Sequence, residues 1–355
     1  MVQNERKLKK RILIAPLNWG LGHATRCIPI INALLINGFE PIIASDGAAL
    51  ALLRKEFRNL IAIKLPSYNI TYPENERLFK FKALTNAPKL LRTISEEKKA
   101  TDTIIKTYTI DGIISDNRFG VYQNHIPSVY ITHQLQVLSG STTWLSTLLH
   151  QKIIKRFDEC WVPDNPGTLN LSGRLGHKPV LNTTVKYIGP LSRFQKSDHP
   201  LKYDIMVLLS GPEPQRSTIE TKLLDDFCNY KGVVVFIRGV IEHQQQISKK
   251  NNITIYNFMT STQLEHTINT SRFIVSRSGY TTVMDLASLN KKAFFIPTPG
   301  QYEQEYLAKR LTSLQLIASC KQREFTLEQL NKIKTLKGLG PINNVTDFKS
   351  LFGLF

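Results

Sequence analysis

The sequence predicts two α/β domains, each built around a parallel β-sheet. The chain has 355 residues, which is more than one hydrophobic core usually organises. Short apolar runs recur at intervals that suit strands alternating with helices, and this alternation starts afresh after residue 200. Such alternation is typical of parallel sheets, because a helix must carry the chain back to the end of the sheet at which the previous strand began.

The predicted strands form two groups. The first comprises residues 12–15, 41–44, 60–65, 112–115, 128–132 and 159–162, and the second comprises residues 204–209, 232–237, 253–255, 273–276 and 293–297. Residues 27–36 are predicted to form a helix that ends at Asn37-Gly38, because glycine adopts the left-handed conformation of a helix end at little cost.

The domain boundary is predicted at Gly189-Pro190, which a polar linker follows. The N-terminal domain would comprise residues 1–190 and the C-terminal domain residues 191–335. Residues 336–355 form a tail that ends in LFGLF, which is too apolar to stay in water. The tail is therefore expected to pack back on one of the domains.

The chain is basic, with a net charge of +18, and residues 1–193 contain 26 Lys and Arg against 14 Asp and Glu. A positive field favours anionic lipid headgroups or phosphorylated substrates. No nucleic-acid partner is expected, because no DNA- or RNA-binding motif accompanies the charge and the lysines are spread along the chain. The aromatic and basic stretch 68–82 is interpreted as a surface loop plus helix, with an acceptor-facing or membrane-surface excursion as the alternative.

Cysteine usage and hydropathy indicate a cytoplasmic protein. The four cysteines have no CxxC or Cys/His spacing, so neither a zinc site nor a disulfide framework is expected. No apolar run approaches the roughly 18 residues of a membrane-spanning helix. The first apolar run, residues 12–15, is shorter than the core of a signal peptide. Peripheral contact with the inner face of the cytoplasmic membrane stays open.

A glycine turn with a histidine follows the first predicted strand, in the sequence Gly20-Leu21-Gly22-His23. Glycines at such a turn permit close approach of the backbone, and the helix N-terminus adds partial positive charge. The third glycine of the dinucleotide fingerprint GxGxxG is missing, which disfavours a nicotinamide cofactor. His23 is a candidate general base, since neutral imidazole can take a hydroxyl proton near neutral pH. A structural or helix-capping histidine is the alternative.

Two segments of the second half also have the strand, turn and helix form. SRSGYTTVMD, residues 276–285, offers hydroxyls and free backbone N–H groups that suit a phosphate. Its Asp285 is placed either to accept hydrogen bonds from ribose hydroxyls or simply to stabilise the helix dipole. PTPGQYEQEY, residues 297–306, carries amide and acidic groups that can bond to sugar hydroxyls, with a plain surface loop as the alternative.

Taken in order, these three motifs resemble the glycosyltransferases of family 28, the family of the bacterial peptidoglycan N-acetylglucosaminyl transferase MurG. The resemblance is strongest over residues 253–310. It implies the GT-B fold, in which two Rossmann-like, doubly wound domains face each other across a cleft. It also implies a hexosyltransferase whose C-terminal domain holds a nucleotide sugar, with UDP as the nucleotide and UDP-N-acetylglucosamine as the first donor to test. The acceptor would be a hydroxyl of a lipid-linked or cell-surface glycan.

Carried over residue by residue, the resemblance implies a donor site. Arg193 matches a cation that contacts the diphosphate, and Asp285 stands where the family usually has a ribose-binding glutamate. Glu305 replaces a common glutamine, which bears on the sugar accepted. Residues 212–214 depart from the glycine-rich pattern of the loop before them. The implied donor-side residues are Gly22, Arg193, Ser210, Gly211, Phe258, Met259, Ser278, Gly279, Thr281, Thr282, Asp285, Gln304 and Glu305.

Three residues of the N-terminal domain are candidates for the catalytic base. His133 lies in a segment that resembles a family strand carrying a histidine and an acidic residue, but Gln134 lacks the carboxylate. His23 is therefore favoured over His133, and Asp116 is a further candidate. The implied reaction is a single displacement that inverts the anomeric carbon. It needs no cofactor, and no metal is expected, because Arg193 and a helix N-terminus would stabilise the leaving group.

Two alternatives are kept. A nucleotide-sugar 2-epimerase of the same fold would release an epimerised sugar nucleotide without an acceptor. A noncatalytic protein that binds sugar nucleotides or glycans would bind UDP without turnover.

Overall fold

The computed structural model describes residues 9–68, 76–180, 182–211, 213–240, 242–340 and 346–355, with the backbone alone for residues 76–87. It contains two seven-stranded sheets, one in each half of the chain. The predicted α/β class and the GT-B architecture of two doubly wound sheets are confirmed.

The N-terminal sheet has the strand order β3-β2-β1-β4-β5-β6-β7, and all its neighbouring strands are parallel. Its central strand is buried on both faces, as expected for a parallel sheet covered by helices. The strands are β1 (Arg11–Pro16), β2 (Glu40–Ser45), β3 (Ala62–Lys64), β4 (Gly112–Asp116), β5 (Ser128–Ile131), β6 (Glu159–Val162) and β7 (Thr184–Tyr187). The helices are α1 (Gly22–Ile36), α2 (Gly47–Glu56), α3 (Glu76–Tyr108) and α4 (Thr143–Ile154).

The C-terminal sheet has the order β10-β11-β9-β8-β12-β13-β14, with an antiparallel pair at the β10 edge. Its strands are β8 (Tyr203–Leu208), β9 (Val234–Ile237), β10 (Ile247–Lys250), β11 (Ile253–Tyr256), β12 (Ser271–Ser276), β13 (Lys292–Phe295) and β14 (Ala318–Ser319). The later helices are α5 (Gln215–Phe227), α6 (Ser261–Asn269), α7 (Tyr280–Ser288), α8 (Tyr302–Ser313), α9 (Lys332–Thr335) and α10 (Phe348–Leu351). The strand order reverses between β1 and β4 in one sheet and between β8 and β12 in the other. Ligands of such sheets bind beyond the carboxyl ends of the strands at these points.

Three of the strands were not predicted from the sequence, and one helix begins earlier than predicted. Strand β10 is exposed throughout, β7 is largely half-buried, and β14 has two residues, so none of them carries an apolar run. Helix α1 begins at Gly22, five residues before the predicted start, because its first turn is packed through polar side chains. The stretch 68–82 is only partly described. Its first residue, Tyr68, is buried with its hydroxyl against Glu97, which corrects the expectation of a surface position there.

The end of the chain packs on the N-terminal domain. The Phe352 ring lies 5.6 Å from Phe39, and the Phe355 ring lies 6.4 Å from Trp161. The predicted boundary at residue 190 falls between β7 and β8, so the chain passes from the first sheet to the second there and returns at its end.

Helix α8 of the C-terminal domain contacts loops of the N-terminal domain. The Arg174 backbone N–H donates to the Tyr306 hydroxyl at 2.9 Å, and Arg310 donates to the Asn170 carbonyl at 3.1 Å. A Cβ on Gly173 would stand 2.3 Å from the Tyr306 oxygen, so this contact requires glycine. The two sheets therefore meet with their reversal points facing one cleft.

Candidate active site

The first turns of α1 and α7 meet across the cleft. A Cβ added to Gly22 would stand 2.6 Å from the Thr281 hydroxyl oxygen. Real Cβ atoms do not approach oxygens so closely, so glycine at position 22 permits this contact. Gly22 and Thr281, both predicted donor-side residues, are thus brought together from opposite domains.

His23 and Asp116 form a hydrogen-bonded pair at the reversal point of the N-terminal sheet. Asp116 is the last residue of β4, and its Oδ1 lies 2.8 Å from His23 Nδ1. Asp116 is fully buried, whereas the His23 side chain keeps 13% of its surface exposed. Because a carboxylate only accepts hydrogen bonds, His23 Nδ1 is the donor in this contact and carries the proton. The neutral imidazole therefore has its lone pair on Nε2. No hydrogen bond joins this Nε2 to any residue in the described part of the chain.

Arg26, which the sequence reasoning missed, binds this pair from the next turn of α1. Its Nε donates to Asp116 Oδ2 at 2.5 Å. Its Nη2 donates to Asp116 Oδ1, the oxygen that also accepts from His23 Nδ1, so the two donor nitrogens lie side by side at 2.9 Å. Burial alone would raise the pKa of Asp116, but Arg26 and then His23 outweigh burial and hold that pKa well below its ordinary value. Asp116 is therefore a permanent anion that orients His23. Its full burial leaves it no surface toward an acceptor hydroxyl, which favours the role of positioning residue over that of base.

His23 is held neutral at physiological pH. Burial lowers its pKa below the ordinary value; Asp116 opposes this, while Arg26 and His133 add to it. The imidazole is thus in the form that can accept a proton.

His133 has both ring nitrogens engaged. Its Nδ1 lies 3.0 Å from Arg26 Nη1, and because guanidinium only donates, this nitrogen accepts. Its Nε2 then carries the proton and donates to Glu303 Oε1 at 3.2 Å. The ring also stacks on Tyr280 at 4.3 Å. His133 accordingly has no free lone pair for a substrate proton.

Glu303, in the first turn of α8, was also missed by the sequence reasoning. It accepts hydrogen bonds from His133 and from the Gln134 side chain of the other domain. Burial alone would raise the pKa of Glu303, but His133 and these hydrogen bonds lower it below the ordinary value. The helical period of the sequence could have identified Glu303 as a buried residue. Leu307 and Leu311 of α8 are buried, and Glu303 lies on the same face of the helix. Arg26 stands three residues after His23, the spacing that places two side chains on one face.

The two neighbours of Glu303 that the sequence favoured brace the preceding loop. Gln304 Oε1 accepts from the Thr298 backbone N–H at 2.8 Å, and Glu305 Oε1 accepts from Gly300 N–H at 3.0 Å. Their contact with a sugar stays a prediction.

The N-terminus of α7 borders open space. Gly279 caps this helix, and no described atom lies within 4 Å of the place where its Cβ would stand. Ser278 is buried, and its hydroxyl donates to the Gln304 carbonyl at 2.8 Å. Thr281 and Thr282 are half-buried in the first turn. Unpaired N–H groups of a first helical turn attract anions, so this space suits a phosphate.

Asp285 and Arg193 lie close together at the domain linker. Ser192 donates to Asp285 Oδ1 at 2.7 Å, and Arg193 Nη1 donates to the Ser261 hydroxyl at 2.8 Å. Burial raises the pKa of Asp285 to about 7, although Ser192 and Arg193 oppose the rise. Burial also lowers the pKa of Arg193. Within the described residues, the buried Nε of Arg193 has no hydrogen-bond partner.

The remaining predicted donor residues lie around the carboxyl ends of β8 and β11. Gly211 has a positive φ of 116°, and a Cβ there would stand 4.0 Å from the Thr298 hydroxyl; Ser210 precedes it. The Phe258 N–H already donates to Asn257 Oδ1 at 2.9 Å, and its carbonyl accepts from Gln245 at 2.7 Å. At Phe258 a second lone pair of that carbonyl is left for a base, and the contact with a base stays a prediction. Met259 accepts from Thr267 at 3.5 Å through its sulfur.

Comparisons with known proteins agree with the fold and with the resemblance to family 28. Residues 225–338 match the glycosyltransferase family 28 C-terminal domain. An uncharacterized glycosyltransferase of Methanosarcina acetivorans is 25% identical over 320 residues, covering 83% of this chain and 81% of that protein. A UDP-N-acetylglucosamine–N-acetylmuramyl-(pentapeptide) pyrophosphoryl-undecaprenol N-acetylglucosamine transferase of Buchnera aphidicola is 25% identical over 211 residues, covering 58% and 56%.

A solved structure shows the same fold. MurG of Acinetobacter baumannii superimposes with a TM-score of 0.56 at 13% identity, covering 97% of this chain and 93% of that one. No helix among the described residues is long and apolar enough to cross a membrane. The family match, the relatives and the two sheets together confirm the resemblance to the MurG-like glycosyltransferases of family 28 and the GT-B fold.

Proposed function

We propose that the enzyme transfers a sugar from a UDP-sugar to a hydroxyl of a lipid-linked glycan, with inversion and without a metal ion. The observation that carries the proposal is the pairing of His23 with Asp116 across the cleft from the N-terminus of α7. UDP-N-acetylglucosamine is the first donor to test. The Buchnera relative, whose name states transfer of N-acetylglucosamine to a pyrophosphoryl-undecaprenol acceptor, supports this choice and that of a lipid-linked acceptor.

His23 is the proposed general base. Its Nε2 takes the proton of the acceptor hydroxyl while the hydroxyl oxygen attacks the anomeric carbon, and the bond from that carbon to the diphosphate breaks. UDP departs with the bonding electrons. Asp116 stabilises the imidazolium that forms, and it holds Nδ1 protonated so that Nε2 faces the substrate.

The proposed position of the leaving diphosphate is the open space beside Gly279. The N-terminal partial charge of α7 and the guanidinium of Arg193 would stabilise the charge that develops on it. Asp285, beside Arg193, would bind the ribose hydroxyls. Fixed positive groups of this kind can replace a metal ion, so activity is expected to survive EDTA.

Glu303 is proposed to contact the donor sugar. It belongs to the C-terminal domain, and its two oxygens accept hydrogen bonds from His133 and Gln134 of the N-terminal domain. Sugar hydroxyls are the kind of donor that can exchange with these partners.

The test combines binding with transfer. UDP and a panel of UDP-sugars are titrated into the protein by calorimetry, and radiolabelled UDP-N-acetylglucosamine is incubated with a lipid extract, with and without EDTA. Binding of UDP, together with label in the lipid fraction, is expected. A protein that gives no heat with any nucleotide or nucleotide sugar contradicts the proposal. Release of an epimerised sugar nucleotide without acceptor would reassign the chain to the epimerases.

A further inference from the structure

A cavity of about 300 Å³ lies between the two domains, beside the first turns of α8. Its walls include Gly140 and Arg174 of the N-terminal domain and Tyr302, Tyr306 and Lys309 of α8. This volume is at the lower end of the range of small-molecule sites. The cavity therefore has room for a small group such as a phosphate or a diphosphate.

Two tyrosines of α8 frame the cavity and reach the N-terminal domain. Tyr302 and Tyr306 stand four residues apart and therefore share one face of the helix. A Cβ on Gly140, which has a φ of 63°, would stand 3.0 Å from the Tyr302 hydroxyl oxygen. The Tyr306 hydroxyl accepts from the Arg174 backbone N–H at 2.9 Å. Close contacts between the domains thus fix the walls of the cavity.

Two cations of the cavity have no polar partner among the residues that the structure describes. The guanidinium carbon of Arg174 lies 4.8 Å from the centre of the Tyr306 ring, which holds it by a cation–π contact. Neither this guanidinium nor the Lys309 ammonium forms a hydrogen bond or an ion pair with another described residue. Neither tyrosine hydroxyl donates to a residue of the described ranges either. All four groups are therefore able to donate to a ligand.

Glu305 adds a carboxylate to the lining. Its Oε1 accepts from the Gly300 backbone N–H at 3.0 Å, so this oxygen is already engaged. The two cations outnumber this one negative charge. An excess of donors over acceptors suits an oxygen-rich anion better than an uncharged sugar, whose hydroxyls need both kinds of partner. Guanidinium geometry in particular suits phosphate.

The cavity borders the candidate active site. Tyr302 immediately precedes Glu303, whose Oε1 accepts from His133 Nε2 at 3.2 Å. Consecutive Cα atoms are only about 3.8 Å apart. A substrate that presents its hydroxyl to His23 can therefore extend a neighbouring group into the cavity.

We propose that this cavity binds the phosphate group that links the acceptor glycan to its lipid. Arg174 and Lys309 meet the phosphate oxygens from opposite domains, and the hydroxyls of Tyr302 and Tyr306 donate to them. The inference rests on the proposed function, because a glycan linked to a lipid through phosphate carries this group beside its sugar. Since the two cations belong to different domains, a bound phosphate also favours the arrangement in which the domains meet.

Calorimetry with farnesyl diphosphate tests the proposal. This soluble prenyl diphosphate is titrated into the protein in the presence of saturating UDP, which fills the proposed donor site. Farnesol, the same lipid without phosphate, should bind at least about tenfold more weakly, because it makes no charge-assisted hydrogen bonds. Binding of farnesyl diphosphate should weaken as salt is raised, since both cations are exposed.

Variants assign the binding to the cavity. Arg174→Gln/Lys309→Gln should weaken farnesyl diphosphate binding at least about tenfold, since two charged donors are removed. Glu305→Gln should strengthen it by about two- to fivefold, because a repelling charge is removed while the amide can still brace the preceding loop. Lys249→Gln/Lys250→Gln removes the same charge from the exposed edge strand β10 and should change nothing.

Folding and transfer are followed on the same samples. UDP binding and thermal unfolding should be unchanged in Arg174→Gln/Lys309→Gln, which shows that this variant is folded. In the transfer assay it should raise the KM for the lipid-extract acceptor at least about tenfold with little change in kcat, as loss of uniform binding does.

Several outcomes overturn the proposal. Absence of farnesyl diphosphate binding refutes it, and so does equal binding by the unaltered protein and Arg174→Gln/Lys309→Gln. Tighter binding of inorganic pyrophosphate would assign the cavity to a free anion, and tighter binding of dihexanoylphosphatidylglycerol would assign it to a phospholipid headgroup. Farnesyl diphosphate binding without any nucleotide binding would refute the proposed function and leave the phosphate site standing.

Discussion

At the scale of single residues, the site distinguishes two histidines by their hydrogen bonds. His23 has Asp116 on one nitrogen and no hydrogen bond on the other from the residues that the structure describes, whereas His133 is held between Arg26 and Glu303. The resemblance favoured His23 for another reason, the missing carboxylate at Gln134. The geometry supports the same assignment through the availability of a lone pair.

Substitution of the two histidines should therefore have unequal effects. His23→Ala is expected to lower kcat by about 10²- to 10⁴-fold, the usual contribution of a general base. His133→Gln, which keeps a donor toward Glu303, should cost less than about tenfold. Steady-state kinetics with the lipid-extract acceptor measures both, and equal losses in kcat would contradict the assignment.

Arg26 should set the pH range of the reaction. Arg26→Gln removes a cation that lowers the pKa of His23, so that pKa should rise. Because His23 acts in its neutral form, the acid limb of kcat/KM should then move to higher pH, with activity at pH 6 falling most. Arg26→Lys retains the charge and should keep the limb near its original position. A limb that stays in place in Arg26→Gln would refute this role.

Asp285 should couple stability to pH. Its pKa in the folded protein is about 7, above the ordinary value of 3.8, so the folded protein holds the proton more tightly than the unfolded chain. The protonated carboxyl of Asp285 therefore contributes fully to the free energy of unfolding below about pH 4, and this contribution is lost as the pH rises to about 7. Asp285→Asn should therefore raise the free energy of unfolding more at pH 8 than at pH 5, by on the order of 2 kcal/mol at pH 8.

The same substitution should weaken UDP binding, because the amide replaces the proposed ribose-binding carboxylate. Thermal unfolding at several pH values, with and without UDP, measures both effects. A stability difference between Asp285→Asn and the unaltered protein that does not change with pH would contradict the raised pKa.

At the scale of elements, the sequence located the central strands but not the edges. The buried strands β1, β4, β8 and β12 carry continuous apolar runs, which predict strands. The edge strand β10 has no buried residue and gives no such signal. For the same reason Arg26 and Glu303 escaped notice, since their roles come from partners 90 and 170 residues away in the chain. The glycine turns before α1 and α7 could be recognised because their residues are consecutive in the sequence, and they identified these two helices as parts of the site.

The contact between α1 and α7 should depend on glycine at position 22. Gly22→Ala would place a Cβ against the Thr281 hydroxyl and is expected to destabilise the protein by about 1–3 kcal/mol, as overpacking does. Thr281→Ala removes that hydroxyl and should recover part of the loss in the double variant. Urea unfolding measures this coupling, and strictly additive effects would mean that the two helix ends do not touch.

Gly279→Ala is the matched control at the partner helix. Its Cβ would enter open space, so stability should change little. Donor binding should nevertheless weaken, because the methyl group occupies the proposed phosphate position.

At the scale of the whole molecule, the chain ties its two domains together twice. It crosses after β7 and returns at its end, where Phe352 and Phe355 pack on the N-terminal domain. The apolar tail predicted such packing, but no sequence pattern indicated which domain would receive it. The N-terminal domain is thus connected to the C-terminal domain twice, by the chain crossing after β7 and by the terminal segment that packs on it.

Loss of the terminal ring should loosen this arrangement. Phe355→Ala removes a buried ring from beside Trp161 and is expected to cost about 2–4 kcal/mol. Gly353→Ala, in the same tail but with nothing near its Cβ, should be close to neutral. Urea unfolding followed by tryptophan emission compares the two, and similar midpoints would show that the tail does not stabilise the fold.

The central claim is that the C-terminal domain presents an activated sugar to His23. A crystal structure with UDP-N-acetylglucosamine tests it most directly. The account predicts the diphosphate beside Gly279 and the anomeric carbon about 6 Å from His23 Nε2, leaving room for one acceptor oxygen between them. A nucleotide bound away from α7, or an anomeric carbon turned from His23, would contradict it.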